Sequence, residues 1–204
     1  MIKIIDNYAS KDLYNQLLEE TLYYGKVHWI GKYADSENAL HDLVHGVRIA
    51  HVKQNFEITG ATAWYNIRPK NPKMHNDIDS YSTQKGISYR PEILPENTFL
   101  YYLKAPDTGG HLAIYNRAKF VQAGQNIVWK ESEVDRVSAI TNRLVVLPAN
   151  ITHQVLPYTG NRVSIGMIFW ADLPKIYPKA NPNINAVYDR VWEIEDTEQI
   201  ALEG

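Results

Sequence analysis

The chain of 204 residues contains no cysteine. Disulfide bridges, thiolate metal ligands and a cysteine nucleophile are therefore excluded. Long apolar runs are missing as well, because no stretch approaches the roughly 20 residues that a membrane-spanning helix needs. The opening residues, MIKIIDNYAS, lack the apolar centre of a secretory signal peptide. From these absences we expect a cytoplasmic protein without a membrane segment.

An excess of charge of either sign is also lacking, since 21 Lys and Arg residues face 23 Asp and Glu residues, for a formal net charge of −2. This balance gives no general attraction to nucleic acids, and we do not expect a nucleic-acid partner. What the chain does have is a hydrophobic fraction of 45% and many aromatic residues, including 14 Tyr and 5 Trp. The hydrophobic fraction is sufficient for the core of one domain over residues 1–204, and the aromatic residues favour β-structure.

The first part of the chain is predicted to be helical. Ser10 is a typical N-cap, and the residues after it predict a helix that runs to about Tyr24. The side chains expected to face inward are Leu13, Leu17 and Leu18. A second helix is predicted from Ser36 toward Ile49.

From residue 58 onward, turn signals separate short aromatic and β-branched segments. This pattern predicts a mainly β fold with flanking α-helices, in the form of a double-stranded β-helix (a cupin-like jelly roll). We expect residues 1–57 to be a helical support, residues 58–171 the jelly-roll core and residues 172–204 a C-terminal tail.

Three candidate metal ligands stand out, namely His75 and Asp77 in the segment KMHNDID, and His153 far downstream. Residues i and i+2 of a strand point to the same side, so the H-x-D spacing suits a strand. Two imidazoles and one carboxylate on one face of a metal leave coordination positions open, which suits non-haem Fe(II). We therefore predict an iron site at His75, Asp77 and His153.

The residues around His153 predict a β-hairpin that also carries a cation. Its strands are THQVL and RVSIGMIFW (162–170), after a buried strand NRLVVLP (142–148). If the chain turns at Thr159–Gly160, the two-residue period places Arg162 and Ser164 on the face that carries His153. A guanidinium group binds a carboxylate through two parallel hydrogen bonds. Arg162 is therefore predicted to anchor an anionic cosubstrate near the metal.

A third segment, TFLYYLKAPDTGGHLAIYN (98–116), predicts two strands around a polar loop with Gly109–Gly110. Together these segments resemble the prolyl-4-hydroxylase-like branch of the 2-oxoglutarate and Fe(II)-dependent dioxygenases. The resemblance covers about residues 60–171. It rests on H-N-D at 75–77, on the Tyr-Tyr-Leu and Gly-Gly strand pair, and on NRLVVLPANITHQVLPYTGNRVSIGMIFW.

The resemblance implies a cofactor and its reaction. Fe(II) would be held by the H-x-D motif and the distal histidine, with 2-oxoglutarate and O2 as cosubstrates and ascorbate as a further candidate cofactor. The expected reaction is hydroxylation of an unactivated C–H bond, with release of succinate and CO2. Catalytic roles would thus fall on His75, Asp77 and His153.

The resemblance also implies which residues bind 2-oxoglutarate. Arg162, nine positions after the distal histidine, would hold the 5-carboxylate. Tyr65 lies ten positions before His75 and matches a tyrosine of the family pattern. On the YYL strand, parity favours Tyr102 over its neighbour as a second tyrosine of the site, and Ser164 completes an R-x-S pair.

A prolyl residue in a peptide or protein is the substrate that the resemblance favours, followed by a free amino acid or another small molecule. Trp64, Tyr81 and Trp170 are candidate walls of a substrate groove, although each also suits a core position. The long segment 78–97 resembles a lid, and we expect it to be the main specificity element.

Two alternatives remain at this stage. In HDLVHGVRIAH, the residues His41, His45 and His51 have the spacing of an extended zinc-protease motif, and two histidines four apart on a helix can share a zinc ion. Asp42 stands where that motif has its glutamate, and Arg48 stands where it has a glycine, so an amphipathic helix is the favoured interpretation. The other alternative is a non-enzymatic, ligand-binding jelly roll, which would not turn over 2-oxoglutarate.

Overall fold

The computed structural model describes residues 1–20, 26–32, 34–52, 58–67, 75, 77, 95–123, 126–170 and 190–193. Its helices are α1 (Lys11–Glu19) and α2 (Ala39–His51). Its strands are β1 (Lys3–Asp6), β2 (Lys26–Gly31), β3 (Gly60–Asn66), β4 (Asn97–Lys104), β5 (Thr108–Gly109), β6 (Leu112–Ala123), β7 (Asn126–Val137), β8 (Arg143–Pro148), β9 (Thr152–Val155), β10 (Tyr158–Thr159), β11 (Val163–Trp170) and β12 (Arg190–Glu193). Neither helix in this part of the chain is long and apolar enough to span a membrane.

The strands form two main sheets, which we call the major and the minor sheet. The major sheet has seven strands in the order β1-β8-β4-β11-β3-β2-β12, and the minor sheet has three in the order β7-β6-β9. Strands β5 and β10 form a separate two-stranded pair. Apart from β2 and β3, neighbouring strands of the major sheet are not consecutive in the chain, as expected for a double-stranded β-helix. The predicted fold class, mainly β with flanking helices, is confirmed.

Apolar side chains from both sheets meet in the interior of the roll. The buried members of this cluster are Tyr102, Leu112, Ile114, Val137, Val145, Leu147 and Val155. They alternate along each strand with residues that point outward, as the two-residue period of a strand requires. The face of the major sheet that carries Tyr102 is therefore its inner face.

The helices cover the outer face of the major sheet. Leu17 of α1 and Leu43 of α2 share a buried cluster with Phe99, Tyr101 and Ile165 from the central strands. Helices and jelly roll thus share one of the two large hydrophobic clusters, and the other fills the roll.

Helix α1 begins as predicted and ends earlier. The Ser10 hydroxyl accepts a hydrogen bond from the backbone N–H of Leu13 at 3.2 Å, which is the N-cap interaction. The helix ends at Glu19 and not near Tyr24. Leu17 is buried as predicted, but the prediction for Leu18 is wrong, because 36% of that residue is exposed.

Helix α2 begins at Ala39, three residues after the predicted start, because Asn38 and not Ser36 is its N-cap. The side-chain oxygen of Asn38 accepts a hydrogen bond from His41 N at 3.0 Å. The Glu20 carboxylate also accepts hydrogen bonds from the backbone N–H groups of Ala39 and Leu40. A carboxylate is favourable at a helix N-terminus, so this contact fixes α2 against the end of α1.

The predicted hairpin around His153 is wrong. Strand β9 pairs with β6 in the minor sheet, whereas β11 lies between β3 and β4 in the major sheet. The intervening β10 pairs with β5, through Tyr158–Gly109 and Thr159–Thr108. The chain therefore crosses from one sheet to the other between His153 and Arg162, and these residues reach a common site from opposite walls of the roll.

Candidate metal and cosubstrate site

The H-x-D segment is fixed by backbone hydrogen bonds to the strand that carries the distal histidine. His75 and His153 exchange two such bonds, with N···O distances of 3.1 and 2.8 Å. The N–H of Asp77 then donates to the carbonyl of Ala149 at 3.1 Å. This short antiparallel bridge brings together two motifs that lie more than seventy residues apart in the sequence.

The three predicted metal ligands meet at one point. Ligand atoms of His75, Asp77 and His153 all lie within 4.8 Å of one another. The Nε2 atoms of His75 and His153 are each 3.8 Å from a carboxylate oxygen of Asp77. Such a cluster of two nitrogens and one oxygen donor fits a non-haem Fe(II) ion and leaves the opposite coordination positions open. Among the residues that the structure describes, no other cluster of metal-ligating side chains is found.

The two histidines differ in their access to solvent. The side chain of His75 is 40% exposed, whereas those of Asp77 and His153 are 9% and 10% exposed. The buried side of the metal group is therefore formed by the carboxylate and the distal histidine. Its accessible side is the side of His75.

The ring of His153 is oriented by a hydrogen bond to its own strand. Its Nδ1 lies 3.0 Å from the carbonyl oxygen of Ile151. A carbonyl oxygen only accepts, so the proton is on Nδ1 and the lone pair of Nε2 points toward the metal group. Burial lowers the pKa of His153, an effect that the charge of Asp77 partly opposes. Burial thus favours the neutral form that binds a metal ion, and the hydrogen bond to Ile151 selects the tautomer that presents Nε2.

A threonine of the major sheet contacts the carboxylate ligand. The buried hydroxyl of Thr98, on the inner face of β4, donates a hydrogen bond of 2.5 Å to Oδ2 of Asp77. We did not predict this residue from the sequence. Its position four residues before Tyr102 gives it the same strand parity, which is the signal that could have placed it inside the roll.

A buried arginine occupies the same interior. Arg162, which is 5% exposed, places its guanidinium carbon 5.0 Å from the centre of the Tyr102 ring and 5.9 Å from that of Tyr158. Ser164 is directly opposite Tyr102 in the pairing of β11 with β4. The structure therefore brings Arg162, Tyr102 and Ser164 together, as predicted, and adds Tyr158, which we did not predict.

Several polar atoms of this group lack a partner in the described part of the chain. They are Nε and Nη2 of Arg162, the hydroxyl of Tyr102 and Oγ of Ser164. Buried polar groups are normally hydrogen-bonded, and an unpaired one costs about 1–3 kcal/mol. Hydrogen-bond donors of this kind suit a carboxylate, so the group fits the predicted anion.

The Gly-Gly loop makes room for Arg162. Gly110 has a φ of +67°, and a Cβ atom there would lie 2.7 Å from Pro106 Cγ and 3.3 Å from Arg162 Cδ. A side chain at this position would strain the backbone and press on the arginine. The glycine thus accounts for part of the packing that holds the guanidinium in place.

Tyr65 does not lie where the resemblance implied. On β3 it pairs with Ile165, and it packs with the helix-side cluster on the outer face of the major sheet. Asn66, the next residue, is the one opposite Ser164. Because successive residues of a strand alternate between faces, Tyr65 points away from the site, and the structure does not bring it to Arg162 and Tyr102 as predicted.

The three histidines of the zinc-protease alternative have separate partners. Nδ1 of His41 is 3.0 Å from the carbonyl oxygen of Asp35, and Nε2 of His45 is 3.0 Å from that of Ala34. His51 packs against Tyr8, with ring centres 5.6 Å apart. These residues form no metal cluster in the described structure, so the alternative is not supported.

The candidate substrate residues are placed only in part. Trp64 and Trp170 contact Trp29 and Ile168 on the inner face of the major sheet. Tyr81, and residues 78–94 of the predicted lid, lie outside the described residues. The lid therefore stays a prediction.

Comparison with known proteins agrees with this site. The family model for the 2OG-Fe(II) oxygenase superfamily matches residues 68–170, just over half of the chain. No curated protein matches the chain.

Solved structures show the same fold at low identity. A prolyl hydroxylase from Trichoplax adhaerens, in complex with a hypoxia inducible factor peptide fragment, is 18% identical, with a TM-score of 0.51 and coverage of 83% of each chain. The viral collagen prolyl hydroxylase from Paramecium Bursaria Chlorella virus-1 is 12% identical, with a TM-score of 0.52 and coverage of 84% of this chain and 96% of that one. HygX from Streptomyces hygroscopicus, solved with nickel and 2-oxoglutarate, is 13% identical, with a TM-score of 0.51 and coverage of 83% and 82%. From the match over residues 68–170, which contains all three ligands and Arg162, the chain belongs to the 2OG-Fe(II) oxygenase superfamily.

Proposed function

We propose that this oxygenase hydroxylates a prolyl residue in a peptide or protein. The observation that carries the reaction class is the cluster of His75, Asp77 and His153, in a protein that also buries unpartnered donors around Arg162. The prolyl substrate is supported by the likeness in fold to the Trichoplax adhaerens and viral collagen prolyl hydroxylases.

The site can bind a cofactor and a cosubstrate at once. His75, Asp77 and His153 would hold Fe(II), which would supply the chemistry that divides O2 between succinate and the substrate C–H bond as 2-oxoglutarate loses CO2. The protein's own part is to hold the metal ion with three side chains and to pair the cosubstrate carboxylate with Arg162. Within the roll, Tyr102 and Ser164 exclude water from that ion pair.

The exposure of the ligands supports a substrate that approaches from outside the roll. Asp77, His153 and Arg162 are nearly buried, whereas His75 is the accessible ligand. A peptide segment on the surface of a larger molecule could present one side chain at this edge.

The first test concerns the cofactor and needs no substrate. Fe(II) and 2-oxoglutarate are added anaerobically to metal-free protein, and the weak visible metal-to-ligand charge-transfer band of the chelate is recorded. We expect the band in the wild-type protein and its loss in His153→Ala. A folded wild-type protein without the band would contradict the oxygenase function and favour a jelly roll that only binds a ligand.

The second test concerns the substrate. Peptides that scan proline in varied sequence contexts are incubated with Fe(II), 2-oxoglutarate and air, and mass spectrometry detects addition of one oxygen atom. Each reactive peptide is compared with its Pro→Ala counterpart. Oxidation that does not depend on proline would contradict the prolyl substrate, and so would succinate formation that only a free amino acid stimulates.

A further inference from the structure

The carboxylate ligand of the metal group is held by a residue from another strand. Thr98 is 4% exposed, and its hydroxyl donates to Oδ2 of Asp77 at 2.5 Å. Thr98 lies in the centre of the major sheet, opposite Leu147 of β8 and Ile168 of β11. Its backbone is therefore fixed by strands on both sides, which makes it a rigid support for a side chain in the interior.

The hydrogen bond distinguishes the two oxygens of Asp77. A hydroxyl that donates to an ionised carboxylate forms a short, charge-assisted bond, and it withdraws electron density from the oxygen that accepts it. Oδ2 is that oxygen, and it also lies 3.8 Å from Nε2 of His153, while Oδ1 lies 3.8 Å from Nε2 of His75 and accepts no hydrogen bond from Thr98. A metal ion between the two imidazoles therefore meets two unequal oxygens, with Oδ1 the better donor.

The difference between the two Asp77 oxygens affects how many coordination positions stay open on the metal ion. A carboxylate that binds through both oxygens occupies one more position than a carboxylate that binds through one. Bidentate 2-oxoglutarate and O2 need all of the positions that three protein ligand atoms leave open. A hydrogen bond that engages Oδ2 thus keeps a coordination position of the metal ion open and also fixes the orientation of the Asp77 carboxylate.

We propose that Thr98 is a positioning residue of the metal site, which fixes the Asp77 carboxylate so that Oδ1 is its preferred donor to Fe(II). The inference rests on the proposed function in that it takes the His75, Asp77 and His153 cluster to bind iron. Contacts that orient a metal ligand typically contribute 10–100-fold to metal affinity. The proposal therefore concerns affinity for the metal ion and does not need turnover to be tested.

The test compares Thr98→Val with Thr98→Ser. Valine has nearly the shape of threonine but no hydroxyl, whereas serine keeps the hydroxyl and loses the methyl group. Each metal-free protein is titrated anaerobically with Fe(II) at saturating 2-oxoglutarate, and the charge-transfer band gives the dissociation constant of the metal. We expect Thr98→Val to weaken Fe(II) binding about 10–100-fold, and Thr98→Ser to bind Fe(II) with nearly wild-type affinity.

Thr62→Val is the matched control. Thr62 is also a fully buried threonine on the inner face of the major sheet, but its hydroxyl accepts a hydrogen bond from Trp170 Nε1 at 3.0 Å and does not contact a metal ligand. Its loss should lower the melting temperature of the metal-free protein and leave the Fe(II) affinity unchanged. If Thr98→Val fails to fold, Thr98→Ala replaces it in the comparison with Thr98→Ser.

The outcomes separate this inference from the proposed function. A wild-type protein that binds no Fe(II) would refute the oxygenase function itself. If the wild type binds Fe(II), equal affinity in Thr98→Val overturns the role of Thr98. The role is also overturned if Thr98→Ser is as weak as Thr98→Val, or if Thr62→Val is weakened to the same degree, because the hydroxyl on Asp77 would then not be the cause.

Discussion

At the residue scale, Arg162 is the cation of the site, and its role can be tested directly. The Arg162 guanidinium is buried between two tyrosine rings, and two of its nitrogens lack a partner in the described structure. A buried charge without a hydrogen-bonded counterion is costly, so a protein that keeps one usually pairs it with a ligand. Burial also raises the pKa of Tyr102, although the charge of Arg162 opposes this. The tyrosine therefore stays a neutral donor at physiological pH.

Replacement of Arg162 by alanine should separate cosubstrate binding from metal binding. Hydrogen bonds to a charged group contribute about 1.5–3 kcal/mol, so 2-oxoglutarate should bind about 10–150-fold more weakly. Fe(II) affinity, measured by the thermal shift that the metal alone produces, should change little. Lys104→Ala, which removes an exposed cation at the end of the neighbouring strand, is the control and should change neither constant. Equal loss of both affinities in Arg162→Ala would show that the arginine is structural.

A buried histidine outside the site provides the complementary test. His41 is 1% exposed and lies on α2, at the outer face of the major sheet, with Nδ1 bonded to the Asp35 carbonyl. His41→Ala should cost about 1–3 kcal/mol of folding stability because it removes a buried ring and its hydrogen bond to the Asp35 carbonyl. The rate of 2-oxoglutarate turnover per folded molecule should equal that of the wild type. A large fall in that rate, reversed by zinc, would favour the metalloprotease alternative.

Site residues could be predicted where a short spacing determines the geometry. H-x-D places two side chains on one side of an extended segment, and strand parity selected Tyr102 over Tyr101. The same alternation of side chains along a strand places Tyr102 inside the roll and Tyr65 outside it. A ten-residue separation from His75 contains no information about which face of β3 the tyrosine occupies, and the pairing with Ile165 places it on the outer face.

At the element scale, local signals located most strands but not their partners. The apolar run before His153 and the run after Arg162 are both strands, β8 and β11, as predicted. The assumption that adjacent strands form a hairpin gave the wrong neighbour for β9. Pairing depends on contacts between distant segments, such as Leu112–Val155 and Ile114–His153 across β6 and β9, and no short-range pattern encodes them.

The pairing of β11 with β3 depends on a glycine that tolerates no side chain. A Cβ atom at Gly166 would lie 2.4 Å from the indole of Trp64, which packs over it. Gly166→Ala should therefore destabilise the protein by about 1–3 kcal/mol, as is typical of overpacked cores. Chemical denaturation measures this loss, and Trp64→Phe in the same chain should recover part of it, because the clashing carbons belong to the outer ring of the indole.

Gly46→Ala is the opposite case and serves as the control. Gly46 is an exposed position within α2, where an added Cβ would make only an ordinary contact of 3.9 Å with the Tyr8 hydroxyl. Alanine at this position should stabilise the helix by about 0.5–1 kcal/mol, since glycine loses more backbone entropy on folding. Destabilisation by both substitutions to the same degree would contradict the explanation by steric overlap at Gly166.

At the scale of the whole molecule, three histidines couple folding to pH in the same direction. Burial lowers the pKa of His45, His51 and His153 from their ordinary value of 6.5. Above that value both folded and unfolded chains are neutral at these positions, and the shift has no effect. Below it the unfolded chain takes up protons that the folded protein does not, so the free energy of unfolding must fall as the pH falls.

The metal-free protein should therefore melt at a progressively lower temperature as the pH is lowered from 7.5 to 5.5. Glu20 acts in the other direction, because burial raises the pKa of its carboxyl above the ordinary 4.5, so the folded protein takes up a proton there before the unfolded chain does and offsets part of the trend. Scanning calorimetry at constant ionic strength measures the trend, and His45→Gln with His51→Gln should reduce its slope. His153 should contribute to the residual slope, and Fe(II) with 2-oxoglutarate should steepen it, because metal ligation requires the neutral imidazole. A melting temperature that is independent of pH in this range would show that the histidines are as solvated in the folded protein as in the unfolded chain.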